Sequence, residues 1–223
     1  MKKKLLILGL TILSLQMSAQ ADKIITSSFC EILGMLNEHI SRFDYPSGMP
    51  HDNFVESFYP DEVENLSHFK NLIKQYEKET SQSFLVKEKV GPQGHFNLYS
   101  NTLSKIINSY YKVDDKNLAT LDKIIFQNLK SDLKYAYLRG VYFRFGSGNE
   151  IKIANGVNKL KTVAFVMKSL NISEVILFER IGESIPKDYI LTFGISDLVV
   201  KELVLSDVIS TTNFQYYKQI IIK

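Results

Sequence analysis

Tyr135-Ala136-Tyr137-Leu138-Arg139-Gly140-Val141-Tyr142-Phe143-Arg144-Phe145-Gly146-Ser147-Gly148-Asn149-Glu150-Ile151-Lys152-Ile153 is the stretch on which the fold turns. Leu133, Tyr137 and Val141 recur at helical spacing on its upstream side. Gly146-Ser147-Gly148-Asn149 then breaks the run, and Ile151-Lys152-Ile153 alternates as a strand does. Helical texture lies before this break and strand texture mostly after it.

Working back towards the N-terminus, residues 118–141 carry Leu118, Leu121, Ile125, Leu129 and Leu133 as one helix or as two split near Ser131-Asp132. Leu103, Ile106, Ile107 and Tyr110 predict a helix over 98–111, and Gly91-Pro92-Gln93-Gly94 a turn. Phe84-Leu85-Val86 reads as a short strand. Val63, Leu66, Phe69, Ile73 and Tyr76 give a helix that begins near Pro60, with Asp61, Glu62 and Glu64 at its positive end. Ser28 and Glu31 have capping-box spacing for a first helix over 28–43. That helix stops at a loop containing Pro46, Gly48 and Pro50.

Downstream, Asn155 reads as the cap of a helix through Val157, Leu160, Ala164, Met167 and Leu170. Residues 175–178, 189–193, 199–205 and 216–222 read as strands, with Gly194-Ile195-Ser196-Asp197 as a hairpin connection. For 199–205 a helix capped by Ser196 or Asp197 is the alternative. The pattern is α+β: N-terminal helices followed by a mainly antiparallel C-terminal β-meander packed on helix. No internal repeat is visible, and residues 22–223 read as a single domain with a change of texture near 146.

The leader shapes the functional expectation. Lys2, Lys3 and Lys4 precede an apolar run over 5–15, and Ala19-Gln20-Ala21 offers a small–any–small cleavage site after Ala21. The apolar run is shorter than the roughly 20 residues a membrane helix needs. The leader therefore predicts an exported, periplasmic or secreted bacterial protein. The chain has 27 Lys+Arg against 24 Asp+Glu, and the leader holds three of the lysines and no acid. The mature chain is thus electrically balanced, which argues against a nucleic-acid partner. Cys30 is the sole cysteine, so no internal disulfide forms, and its place on an apolar stripe predicts a buried thiol.

Catalytic motifs are missing. His39, His51, His68 and His95 lack metal-ligand spacing, so neither a metal nor a cofactor is expected. There is no Gly-x-Ser-x-Gly elbow and no phosphate-binding Gly-x-x-x-x-Gly-Lys loop. Arg139, Tyr142, Arg144, Asn158 and Lys159 are the candidate ligand-binding residues, because guanidinium forks suit carboxylates and phosphates. On an ideal helix, however, Arg139 and Arg144 stand about 140° apart. The leading expectation is an exported, non-catalytic protein that binds another protein or a small ligand. The alternatives are an extracytoplasmic hydrolase using His51, Asp52 or His95, and a structural envelope protein.

Overall fold

A computed structural model describes residues 25–38, 51, 53–113, 119–182, 185–205 and 212–222. The predicted leader and much of the loop after the first helix lie outside these residues. The elements, in chain order, are α1 (Ser27–Met35), β1 (Phe54–Phe58), α2 (Val63–Thr80), β2 (Lys87–Val90), β3 (Phe96–Tyr99), α3 (Asn101–Asn108), β4 (Tyr111–Val113), β5 (Ala119–Leu121) and α4 (Lys123–Gln127). They continue with α5 (Ser131–Phe145), β6 (Gly146–Ser147), β7 (Glu150–Ala154), α6 (Val157–Ser169), β8 (Ile176–Arg180), β9 (Asp188–Thr192), α7 (Asp197–Leu203) and β10 (Tyr217–Ile220). The class is α+β with antiparallel sheets, as the sequence predicts.

The order of elements contains a duplication that the sequence does not display. Helix–strand–helix–strand–strand–helix runs once from α1 to α3 and again from α5 to α7, where the two-residue β6 is added before β7. The first sheet is ordered β1-β3-β2 and the second contains β7-β9-β8, with every pairing antiparallel. The two halves therefore share one topology while differing in sequence.

They meet where α1 crosses α5, the most extensive helix–helix contact among the described residues. The crossing is reciprocal. A Cβ on Gly34 would stand 2.1 Å from the Tyr137 carbonyl oxygen, and one on Gly140 would stand 2.0 Å from the Glu31 carbonyl oxygen. In each case the facing carbonyl lies three residues before the partner glycine, so the helix backbones touch directly at both points. Around the crossing the core is aromatic: Phe29 stacks on Tyr76 at 4.8 Å and Tyr76 on Phe84 at 5.2 Å. Cys30 is buried there, and burial pushes its thiol up to about 12.

Several boundaries differ from expectation, each for a local reason. α1 is capped by the Thr26 hydroxyl, which accepts from Phe29 N at 3.2 Å, rather than by Ser28. It ends at Met35 because Leu36 is extended; the predicted continuation beyond residue 38 lies outside the described residues. α2 starts at Val63 behind Glu62, not at Pro60. The strand expected at 84–86 is displaced to β2, and the helix over 98–111 splits into the end of β3, α3 and β4. The long run over 118–141 is β5, α4 and α5. Asn155 does not cap α6; it adopts a left-handed φ of 53°, and its side chain accepts from Lys187 N at 2.9 Å. Residues 199–203 belong to α7 rather than to a strand over 199–205, because the Ser196 hydroxyl accepts from Val199 N and caps the turn. Gly194–Asp197 accordingly leads into a helix, not a hairpin. None of the helices in the described residues is long and apolar enough to cross a membrane.

Candidate nucleic-acid interface

Two features of the duplicated fold carry chemistry: a buried cationic junction where the halves meet, and the sheet faces that point away from the helices.

The junction is built on Arg144, in the last turn of α5, with a side chain wholly removed from solvent. Its Nε donates to Glu62 Oε1 at 2.7 Å, and Nη2 reaches Glu62 Oε2 at 3.1 Å. Nη1 donates to the Met35 carbonyl at 2.7 Å and Nη2 to the Ser57 carbonyl at 2.8 Å. The buried Glu56 carboxylate lies 3.4 Å from Nη1 and also accepts from Asn37 N and Ser57 N. The guanidinium stacks over Phe58 at 4.4 Å. Lys159, equally buried, points its Nζ at the Leu33 carbonyl from 3.4 Å. Leu33 and Met35 are among the last carbonyls of α1, whose own last turn holds no basic residue. The second half thus supplies the two cations that satisfy the negative end of the first half's helix.

Glu62 reports on this network. Burial, the largest single influence, would raise its carboxyl. The Arg144 hydrogen bond and charge, with Tyr59 N and Asn65, outweigh it and hold the carboxyl below its ordinary 4.5. A group depressed on folding contributes stability above its unfolded pKa and loses it as pH falls through the folded value. The stability difference between the native chain and Glu62→Gln is expected to be largest near neutrality and to shrink below pH 4.5. Urea midpoints measured across that range check it; a difference independent of pH would remove the carboxylate from the network.

The five residues singled out from the sequence divide between this junction and other tasks. Arg144 and Lys159 come together, both facing the Phe145 ring at 5.2 and 5.6 Å. Arg139 sits elsewhere, 3.7 Å from Glu31 and 3.5 Å from Glu202, tying α5 to α1 and α7. Tyr142 donates to the Gly148 carbonyl at 2.9 Å and holds the β6–β7 turn. Asn158 is half-buried in α6, its carbonyl accepting from Thr162. For the hydrolase alternative, His51 is exposed, His95 packs against Tyr59 at 4.7 Å, and Asp52 lies outside the described residues.

A cavity of about 340 Å³ opens beside the junction, lined by Asn37, Tyr59 and Glu62 from the first half and Arg144, Lys152 and Asn155 from the second. Lys152 also belongs to the face of the second sheet that points away from the helices. Ile151, Leu191 and Leu177 align across β7, β9 and β8 and are buried in the core. Side chains alternate along a strand, so Lys152, Ile190, Phe178 and Gln219 form a row on the opposite face. Arg180 and Tyr217 pair in the next row. Phe214 stacks on Phe178 at 4.9 Å, and a cavity of about 230 Å³ lies among Lys152, Arg180, Thr212, Asn213, Tyr216 and Tyr217.

The first sheet repeats the arrangement. Leu98 is buried on the helix side, leaving Phe54, Tyr99 and Lys87 in one outer row and Ser57, Asn97 and Lys89 in the next. Lys89 Nζ lies 5.4 Å from the Tyr99 ring centroid. Lys87, Lys89, Tyr99, Arg180 and Tyr217 do not stand out in the sequence. The available signal is Lys87-Glu88-Lys89 directly before the Gly91–Gly94 turn.

No family model and no curated protein matches the chain. Its fold does have solved counterparts, among them structures of the homing endonuclease I-DmoI. Mesophilic variants of the homing endonuclease I-DmoI superpose with a TM-score of 0.52 at 14% identity, over 81% of this chain and 96% of theirs. I-DmoI in complex with DNA and Ca gives 0.51 at 14% identity, over 79% and 87%. I-DmoI with DNA and Mn gives 0.52 at 14%, over 82% and 99%. The likeness is one of fold. It overturns the expectation of a non-catalytic binding protein with no nucleic-acid partner, since I-DmoI, which shares the fold, is solved in complex with DNA; it does not bear on the leader.

Those complexes contain divalent ions, so the donor set matters. Among the described residues no three His, Cys, Asp or Glu side chains gather to hold a metal ion. The carboxylates at the junction, Glu56 and Glu62, are already engaged by Arg144 and by backbone N–H groups. A cation would have to displace a buried guanidinium from them. These residues do not fit a metal centre, and no metal-dependent step is derived for them.

Proposed function

We propose that this protein binds duplex DNA along the faces of its two sheets that point away from the helices. The observation that carries the reading is the pairing of cations with aromatic rings on those faces: Lys87 and Lys89 beside Tyr99, and Lys152 and Arg180 beside Phe178 and Tyr217. Cationic side chains free to meet phosphates supply the contacts that dominate affinity, and the rings supply flat surface with polar tips. The shared fold of DNA-bound homing endonucleases supports the same reading.

Fluorescence anisotropy with a labelled random-sequence duplex tests it. Binding is expected with a non-specific dissociation constant of about 10⁻⁴–10⁻⁶ M, weakening steeply between about 50 and 200 mM salt. Binding is expected to persist undiminished in EDTA, because the cations that make the contacts are side chains. Absence of binding at low salt would overturn the proposal, and a strict requirement for a divalent ion would overturn its basis in side-chain cations.

A further inference from the structure

The two sheets share a topology but not an electrostatic state. Among the described residues no carboxylate pairs with Lys87 or Lys89, and all of β2 is exposed. On β2 the only acid is Glu88, which alternation turns to the helix side, where it pairs with Lys70. In the second sheet each outward cation has a resident counter-charge. Lys152 lies 3.3 Å from Glu150, a buried carboxylate fixed by the Thr212 hydroxyl at 2.8 Å. Arg180 lies 3.1 Å from Asp188 on the neighbouring strand.

We infer that the halves divide the contact with nucleic acid, the first sheet supplying the phosphate contacts through Lys87 and Lys89 while the second contributes a neutralised, aromatic surface. This rests on the duplex-binding reading and names the residues within it. A phosphate approaching Lys87 or Lys89 meets a positive charge with no paired carboxylate to displace, and its counterions are released. A phosphate approaching Lys152 or Arg180 meets Glu150 or Asp188 as well, and the like charge cancels the gain.

The dependence of affinity on salt reads this directly, since each phosphate neutralised contributes a slope of about −0.9 in log K against log salt. In the full chain, Lys87→Gln/Lys89→Gln is expected to flatten the slope for a random-sequence duplex by about 1.8. Lys152→Gln/Arg180→Gln is expected to change it by less than about 0.5, well under one contact. The charge-preserving Lys87→Arg/Lys89→Arg is expected to keep the native slope. All of these side chains are at the surface, and unchanged melting curves confirm that each variant is folded. Equal losses from the two pairs, or a larger loss from Lys152 and Arg180, would overturn the division of labour while leaving duplex binding intact. A native chain that fails to bind the duplex would instead overturn the functional reading, and this inference with it.

Discussion

Arg144→Ala is expected to lower the unfolding free energy by about 3–5 kcal/mol, the range found when one partner of a buried ion pair is removed. At roughly 2–4 °C per kcal/mol for a chain of this size, thermal unfolding should register the loss plainly. The reason is the number of groups that one guanidinium serves. Glu56 is fully buried and Glu62 nearly so, and without Arg144 their charges face a low-dielectric interior. The Met35 and Ser57 carbonyls lose their donor at the same time. Arg144→Lys keeps the charge but has no planar fork with which to reach two carbonyls and a carboxylate together, so it should recover only part of the loss. Glu56→Gln/Glu62→Gln/Arg144→Leu removes the charges together and is expected to be less destabilised than Arg144→Ala, because no ion is stranded. Urea unfolding of the three variants decides. A cost for Arg144→Ala below about 1 kcal/mol, the size of an exposed pair, would mean that the junction does not hold the halves together.

Arg144 also marks where the sequence stops being legible. Its chemistry could be read: a guanidinium among aromatics suits planar contact with a carboxylate, and Glu62 is such a partner. Its place could not, because the Met35 carbonyl lies 109 positions away in the chain and no spacing rule links them. The strand β7 was legible because it alternates over a core that buries one face, and β8 and β9 because they are short runs of aliphatic and aromatic residues. β2 was not, since all four of its residues are exposed and no apolar period marks it. β1 failed for the opposite reason, being buried at every position. α7 turned on one hydroxyl, Ser196, which decides between strand and helix through a capping bond that apolar spacing does not record. The duplication is hidden from the sequence because it is kept in topology alone. The first half reaches its helix crossing through Phe29-Cys30-Glu31-Ile32-Leu33-Gly34, the second through Tyr135-Ala136-Tyr137-Leu138-Arg139-Gly140. Of these, only the glycine occupies the same place in both segments.

That shared glycine leads to the second large effect. Gly140→Ala places a methyl group 2.0 Å from the Glu31 carbonyl oxygen, and Gly34→Ala places one 2.1 Å from the Tyr137 carbonyl oxygen. Both obstacles are helix backbone, which cannot rotate aside as a side chain would. In an exposed helix the same change removes the conformational cost of glycine and stabilises by up to about 1 kcal/mol. Here the sign reverses: α1 and α5 must separate, and each substitution is expected to cost at least the roughly 1–3 kcal/mol of an overpacked core. Separation would also lengthen the Arg144–Met35 and Lys159–Leu33 contacts, since both cross the same interface. The two substitutions should therefore not add. Once one methyl has forced the helices apart, the second enters space already opened, so the double variant is expected to lose less than the sum of the singles by about 0.5–3 kcal/mol. Unfolding free energies for the two single variants and the double variant measure that coupling. Additive losses would mean that each glycine answers to its own surroundings and that the crossing is not one shared contact.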